Sequence, residues 1–200
     1  MSSSREKKPS QKRAVKTRAK ILSAVESLVE KKPGEFVTSS EIASEAGVAV
    51  GTLYRYFDDA SAAILKAYDR AHERVNGCWF QGLSKLTDLS SEDAARAFLK
   101  TYRTCARRER AYVPLLILAR KIRPAAVEFE ANVDTPESHR AFANIFQISP
   151  TKEKLAAIRL LKFVTLQLMD AYFTARADDQ SAIRDEIIRY TEQALQRLRA

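Results

Sequence analysis

Between Leu160 and Phe173 only Lys162 and Asp170 carry a charge. A helix so apolar around its circumference has to be buried on more than one side, so the rest of the chain must wrap it. That remainder is suited to further helices. Five Gly and six Pro among 200 residues are few, while Ala, Leu, Arg, Lys and Glu are plentiful, a balance that disfavours a turn-rich β-sandwich. With 46% hydrophobic residues, a chain of this length can fold without staples, as one domain or as a small module joined to a larger one. The expectation is an all-α fold.

Helical periodicity begins near Arg13. Ile21, Ala24, Val25, Leu28 and Val29 recur on one face, and Lys31, Lys32, Pro33 and Gly34 end the run. Thr38 followed by Glu41 has the spacing of a capping box, and Gly47 closes the short apolar face of Ile42, Ala43 and Ala46. A third short segment, Ala49 to Phe57, sets Leu53 and Phe57 four apart on one face. Two short helices about a glycine turn make a helix-turn-helix. Beyond it, Asp58 and Asp59 can cap a helix that runs through Ile64, Tyr68, His72 and Trp79 to about Leu83. Ser90 with Asp93 caps one through Phe98 and Cys105, and Pro114 can open another through Ile122. Pro124 and Pro136 are further helix starts, with a loop between them at Asn132 to Thr135. Ser149 and Pro150 open the apolar helix, which runs to about Arg176, and the last helix starts near Ser181. Nine or ten helices account for the chain.

The formal net charge of +9 is unevenly spread. The first 20 residues hold eight basic side chains and one acid, leaving 26 against 24 in the other 180. Residues 1–12 lack periodicity and are expected to be a disordered basic arm, suited to nucleic acid or serving only as a solubilising tail. No secretory apolar segment or 18-residue apolar span is present, which predicts a cytoplasmic protein without a membrane partner. Cys78, Cys105, His72 and His139 have no metal-ligand spacing. The two cysteines read as small buried apolar residues rather than a disulfide framework, and neither metal nor cofactor is expected. Gly77 and Gly82 have the spacing of a phosphate loop, but Leu83 and Ser84 follow in place of Lys-Ser/Thr, and no strand precedes them. With no nucleophile elbow or zinc-protease motif either, an all-α enzyme is the weaker alternative. Two others are a redox-sensing regulator using Cys78 and Cys105, and a DNA-coating protein using the arm alone. The near-neutral last 140 residues argue against the coating role.

In a helix-turn-helix, Gly47 supplies the left-handed backbone of the turn and the next helix enters the major groove by its N-terminal end. Val50, Gly51 and Tyr54 would then face base edges, with Val50 suited to thymine methyl groups, and Thr52, Arg55 and Tyr56 would face phosphates. Thr38, Ser39 and Ser40 sit at the positive end of the preceding helix, where hydroxyls and amides can donate to a phosphate.

The runs TRAKILSAVESLV and TSSEIASEAGVAVGTLYRYF, within residues 17–57, resemble the DNA-binding domain of the TetR family of bacterial transcriptional regulators in order and spacing. The resemblance implies three small helices for DNA, here residues 13–58, and a larger helical domain for effector binding and dimerisation, here residues 59–200. It implies a repressor of a pseudo-palindromic operator, released by a small molecule. Two departures stand out. The Lys that usually follows YF by three residues is Ala60, and the polar residue usual after AGV is Ala49. Lys12, Arg13, Lys16, Arg18 and Lys20 are candidates to compensate by phosphate contact. For the implied effector site the candidates are Trp79, Phe98, Tyr102, Cys105, Phe163, Gln167 and Met169, which offer apolar walls with a few polar handles. A homodimer is expected to pair the last two helices through Leu161, Val164, Leu168, Tyr172, Ile183, Ile187, Ala194 and Leu198.

Overall fold

The computed structural model describes residues 8–86, 88–123 and 136–200. Among the described residues there are nine helices: α1 (Lys8–Lys31), α2 (Ser39–Glu45), α3 (Val50–Tyr54), α4 (Ala60–Leu83), α5 (Ser91–Arg108), α6 (Tyr112–Ile122), α7 (Pro136–Ile145), α8 (Lys152–Thr174) and α9 (Gln180–Arg199). The all-α expectation holds. The expected loop from Asn132 to Thr135 and a helix start at Pro124 lie outside the described residues.

Several boundaries differ from the sequence reading. α1 begins at Lys8, five residues before the apolar periodicity, because a Pro is tolerated in a first helical turn and Gln11 and Lys12 favour helix without needing an apolar stripe. Lys8 to Lys12, expected in the arm, are therefore helical. Thr151, not Ser149, caps α8: its hydroxyl accepts the amide of Lys154 at 3.2 Å. The helix ends at Thr174, followed by extended backbone at Ala175.

The chain divides into two compact units. One runs to His72 and includes Arg110–Ile122; the other comprises Glu73–Glu109 and Arg123–Ala200. The first reaches further than the expected residues 13–58, since it takes in α6 and the first half of α4.

In the first unit the apolar stripe of α1, Ile21, Val25 and Val29, is fully buried with Ile42 of α2, Leu53 of α3, Ile64 and Ala67 of α4, and Leu115, Leu116 and Leu118 of α6. Each large aliphatic side chain so buried contributes about 1.5–3 kcal/mol. Polar groups fix the register of α4 on α1. The Arg70 guanidinium donates to Glu26 Oε1 at 3.0 Å, stands 2.8 Å from Glu26 Oε2, and reaches the Ser23 hydroxyl at 3.1 Å. His72 Nδ1 lies 3.5 Å from the hydroxyls of both Tyr68 and Tyr112, so the buried imidazole joins α4 to α6.

In the second unit α9 packs on α5 and α8, and α7 on α8. Trp79 meets Phe98 edge-on at 4.6 Å between ring centroids and 88° between planes, and its indole N–H donates to the Phe98 carbonyl at 3.1 Å. At the end of α9, Arg199 donates to the carbonyls of Phe146 and Leu89 at 3.0 and 2.9 Å, tying the last turn to two loops. One correction concerns the cysteines. Cys78 and Cys105 form a disulfide between α4 and α5, their Cα atoms 5.9 Å apart. Residues 27 apart in sequence carry no sign of pairing until the antiparallel register of two helices brings them together.

Candidate functional site

The turn between α2 and α3 is built from backbone bonds. Gly47, at φ +60°, donates to the Ser44 carbonyl, and the Val48 amide reaches back to the Ala43 carbonyl, both at 3.0 Å. This crossed pair satisfies the last carbonyls of α2 and requires the left-handed residue where the sequence has glycine. At the other end of α2, Thr38 and Glu41 form a complete capping box: the hydroxyl accepts the Glu41 amide at 3.3 Å, and the Glu41 carboxylate accepts the Thr38 amide at 2.9 Å. Lys32 adds a charged hydrogen bond at 2.8 Å. That bond first, and those from Thr38 next, hold the Glu41 carboxyl down to about 2 from an ordinary 4.5. The Thr38 hydroxyl itself donates to Glu41 Oε2 at 2.8 Å. Its proton is committed, so the expected phosphate donors at this helix end reduce to Ser39 and Ser40.

α3 has five residues, and Ala49 before it provides no side-chain cap. Leu53 and Phe57 point into the core, as expected. Val50 (37%) and Tyr54 (53%) are exposed, the latter a large unburied tyrosine on the shortest helix among the described residues. Gly51 and Arg55 are exposed as well, while Thr52 and Tyr56 are half-buried. Lys12, Arg13, Lys16, Arg18 and Lys20 are all exposed along the first half of α1, and the Arg18 guanidinium also lies over the Phe57 ring at 5.8 Å. The outward side chains thus combine a short apolar and aromatic face with cations, the pairing that base edges and phosphates call for.

The second unit contains a cavity of about 100 Å³ between α4, α5 and α8. Trp79, Phe98, Tyr102 and Met169, four of the expected effector residues, line it. Three do not. Cys105 is held in the disulfide, and Phe163 and Gln167 are not on the cavity wall, because the lining stripe of α8 is Lys162, Thr165, Leu166 and Met169, at i, i+3, i+4 and i+7. Asn76 and Phe80 complete it. Sequence reasoning missed Asn76, Phe80, Lys162, Thr165 and Leu166; the sign available was Lys162, one of two charges in the apolar run, which is only 7% exposed. A separate open groove on α8 and α9 is lined by Leu161, Ala194 and Leu198 from the expected dimer set, with Tyr190 and Leu160; the last is 58% exposed. Ile187, also expected there, is fully buried by its own chain, and Tyr172 nearly so. Val164, Leu168 and Ile183 are half-buried.

Residues 21–63, which contain the capping box, the Gly47 turn and α3, match the family model for bacterial regulatory proteins of the tetR family. The sequence likeness to the tetR family thus lies in the helix-turn-helix. No curated protein sequence matches it. Among solved structures, it is similar to a TetR-family transcriptional regulator from Streptomyces coelicolor at 18% identity, with 91% of this chain and 99% of that one covered and a TM-score of 0.62. A TetR transcriptional regulator from Rhodococcus sp. RHA1 is 24% identical, covering 90% and 94% with a TM-score of 0.57. RolR in complex with resorcinol is 17% identical, covering 94% and 96% with a TM-score of 0.64. These likenesses establish a shared fold over nine-tenths of the chain.

Within the matched residues the two departures from the family's usual pattern are visible. Ala60 is buried at the start of α4, where Asp59 accepts the Ala62 amide at 2.7 Å, so no cation stands at that position. Ala49 leaves the front of α3 without a polar side chain. Gly77 and Gly82, spaced like a phosphate loop, both lie inside α4. Among the described residues no helix is long and apolar enough to cross a membrane, and Cys78 and Cys105 offer no free thiol.

Proposed function

We propose that this tetR-family regulator is a homodimeric repressor that reads a pseudo-palindromic operator through α3 and leaves it when a small molecule occupies the α4, α5 and α8 cavity. The observation that carries the DNA reading is the exposed face of α3, with Val50, Gly51 and Tyr54 free for base edges while Leu53 and Phe57 anchor the helix from behind. Arg55, Thr52, Tyr56, Ser39, Ser40 and the α1 cations Lys12, Arg13, Lys16 and Arg18 take phosphates. The dimer reading rests on the open apolar groove of α8 and α9, where Leu160 joins Leu161, Ala194 and Leu198. A two-fold pair would repeat the reader at half-sites about 34–36 Å apart, or further on deformed DNA.

Release is a difference in affinity. The effector must bind the conformation with mis-spaced reading helices more tightly than the DNA-bound one, and a coupling of about 1–3 kcal/mol weakens operator binding roughly 5- to 150-fold. Support for a small-molecule site comes from the cavity and from the likeness to RolR, whose structure holds resorcinol. The test is selection of duplexes from a random pool by the full chain, followed by competition of the selected sequence against its scramble. The reading requires a two-fold symmetric consensus, a strong preference over the scramble, and a dimer by analytical ultracentrifugation at micromolar protein. Equal affinity for both duplexes, or a monomer, refutes it.

A further inference from the structure

The geometry points to the ligand class of the cavity: we infer that it takes a single-ring, uncharged aromatic molecule bearing a hydroxyl donor, a phenol rather than an aromatic hydrocarbon or an aromatic acid. This rests on the effector reading above. Size sets the first limit. A dry apolar cavity of about 150 Å³ accepts benzene, so one of about 100 Å³ has no room for a second ring. The walls set the second. Trp79 presents its ring edge-on to Phe98 and, at 5.6 Å and 83°, to Tyr102, and such mixed faces and edges favour another aromatic ring.

The polar groups decide the rest. Asn76 Oδ1 is buried and has no hydrogen-bond partner, which makes it an acceptor waiting for a donor. Thr165 gives its hydroxyl proton to the Leu161 carbonyl at 2.7 Å, and the Trp79 indole N–H is given to the Phe98 carbonyl. Thr165 therefore has only lone pairs left to offer, Trp79 offers no further polar contact, and the acceptor without a donor is Asn76 Oδ1. Lys162 is the one cation among the described lining residues, and it already has partners of its own. A ligand hydroxyl can donate to Asn76 Oδ1, whereas a carboxylate or a hydrocarbon has no proton to give and leaves it unpaired, and the carboxylate must also give up its water on entering an apolar wall.

Trp79 is the only tryptophan in the chain and forms part of the wall, so its fluorescence reports occupancy directly. Full-length protein would be titrated with phenol, toluene and benzoate as probes. Phenol should bind saturably and about 5- to 10-fold more tightly than toluene, the worth of one hydrogen bond to a group otherwise left unpaired, with benzoate weaker than phenol. Asn76→Leu should abolish or reverse the preference for phenol over toluene. Toluene binding as tightly as phenol, benzoate binding more tightly, or no saturable change with any probe overturns the inference. The wild-type series decides even where Asn76→Leu fails to fold. Gel-shift on the selected duplex separates the two levels. Phenol that fills the cavity but leaves DNA affinity unchanged refutes the effector reading alone. A compound that releases DNA without competing with phenol at Trp79 refutes the cavity as the effector site.

Discussion

Gly82 lies inside α4 against α5, and a Cβ built there would stand 2.5 Å from Thr101 Cγ2, with the next nearest atom, Thr101 Cβ, at 3.9 Å. Two opposing terms can be read from this. Replacing a mid-helix glycine by alanine favours the helix by about 1 kcal/mol. The methyl would also sit more than an ångström inside the 3.5–4.0 Å optimum for carbon contacts, against a β-branched side chain with one stiff torsion, and overpacking of this kind costs about 1–3 kcal/mol. Gly82→Ala should therefore be neutral to destabilising by about 2 kcal/mol. Thr101→Ser removes the offending methyl and leaves only ordinary contact. In that background Gly82→Ala should be stabilising by about 1 kcal/mol, so the double-mutant cycle has a coupling of about 1–3 kcal/mol. Urea unfolding of the four proteins at one fixed protein concentration measures it, since the proposed self-association would make stability concentration-dependent. Effects that add to within about 0.5 kcal/mol would show that the two helices are not held at this separation, and the close approach of α4 and α5 would have to be abandoned.

The remaining predictions concern the clamp on α2, the crosslink and the reader. The folded Glu41 carboxyl lies below its ordinary value, so the clamp contributes stability above pH 4.5 and loses it as pH falls towards 2; Glu41→Gln should weaken the fold at neutral pH, with the difference from wild type vanishing by about pH 2 in acid-unfolding curves. The disulfide closes a loop with a sequence separation of 27, worth about 3.5 kcal/mol of denatured-state entropy, so Cys78→Ser with Cys105→Ser should unfold at lower urea; coincident curves for the variant and the oxidised protein would contradict this. Arg55→Ala should weaken binding to selected and scrambled DNA alike and reduce the salt slope by about 0.9, whereas Val50→Ala should change base preference in repeated selection.

The helix-turn-helix was legible because its geometry is local. A capping box spans four residues, a left-handed turn needs one glycine, and Thr38, Glu41 and Gly47 stand where those rules put them. The sequence did not show that Thr38 spends its proton on Glu41, since the same residues would spell a box with the hydroxyl turned either way. The second unit was legible as helices but not as faces. An apolar helix such as α8 gives no sign of which stripe meets its own chain, so Ile187 on α9 was placed outside though it is fully buried, and exposed Leu160 was overlooked. Polar residues turned inward, Asn76 and Lys162, are invisible to a search for apolar periodicity. The cysteine pair failed for the same reason as the cavity: both depend on the register between helices far apart in sequence.

The Glu41 clamp also bears on what kind of signal the surface proposed for DNA can answer. The two histidines of the chain are His72 and His139, and both cysteines lie beyond residue 77, so residues 8–60 contain no side chain whose ordinary pKa falls between 5 and 8. Glu41, their carboxylate nearest to such a role by position, is already pinned at about 2. The surface proposed for DNA therefore holds no imidazole or thiol whose charge could change across the neutral range. The histidine nearest to that surface along the chain is His72, which joins α4 to α6 within the same unit, so a pH series on DNA binding paired with His72→Gln tests whether this bridge, rather than the proposed contacts, carries any response.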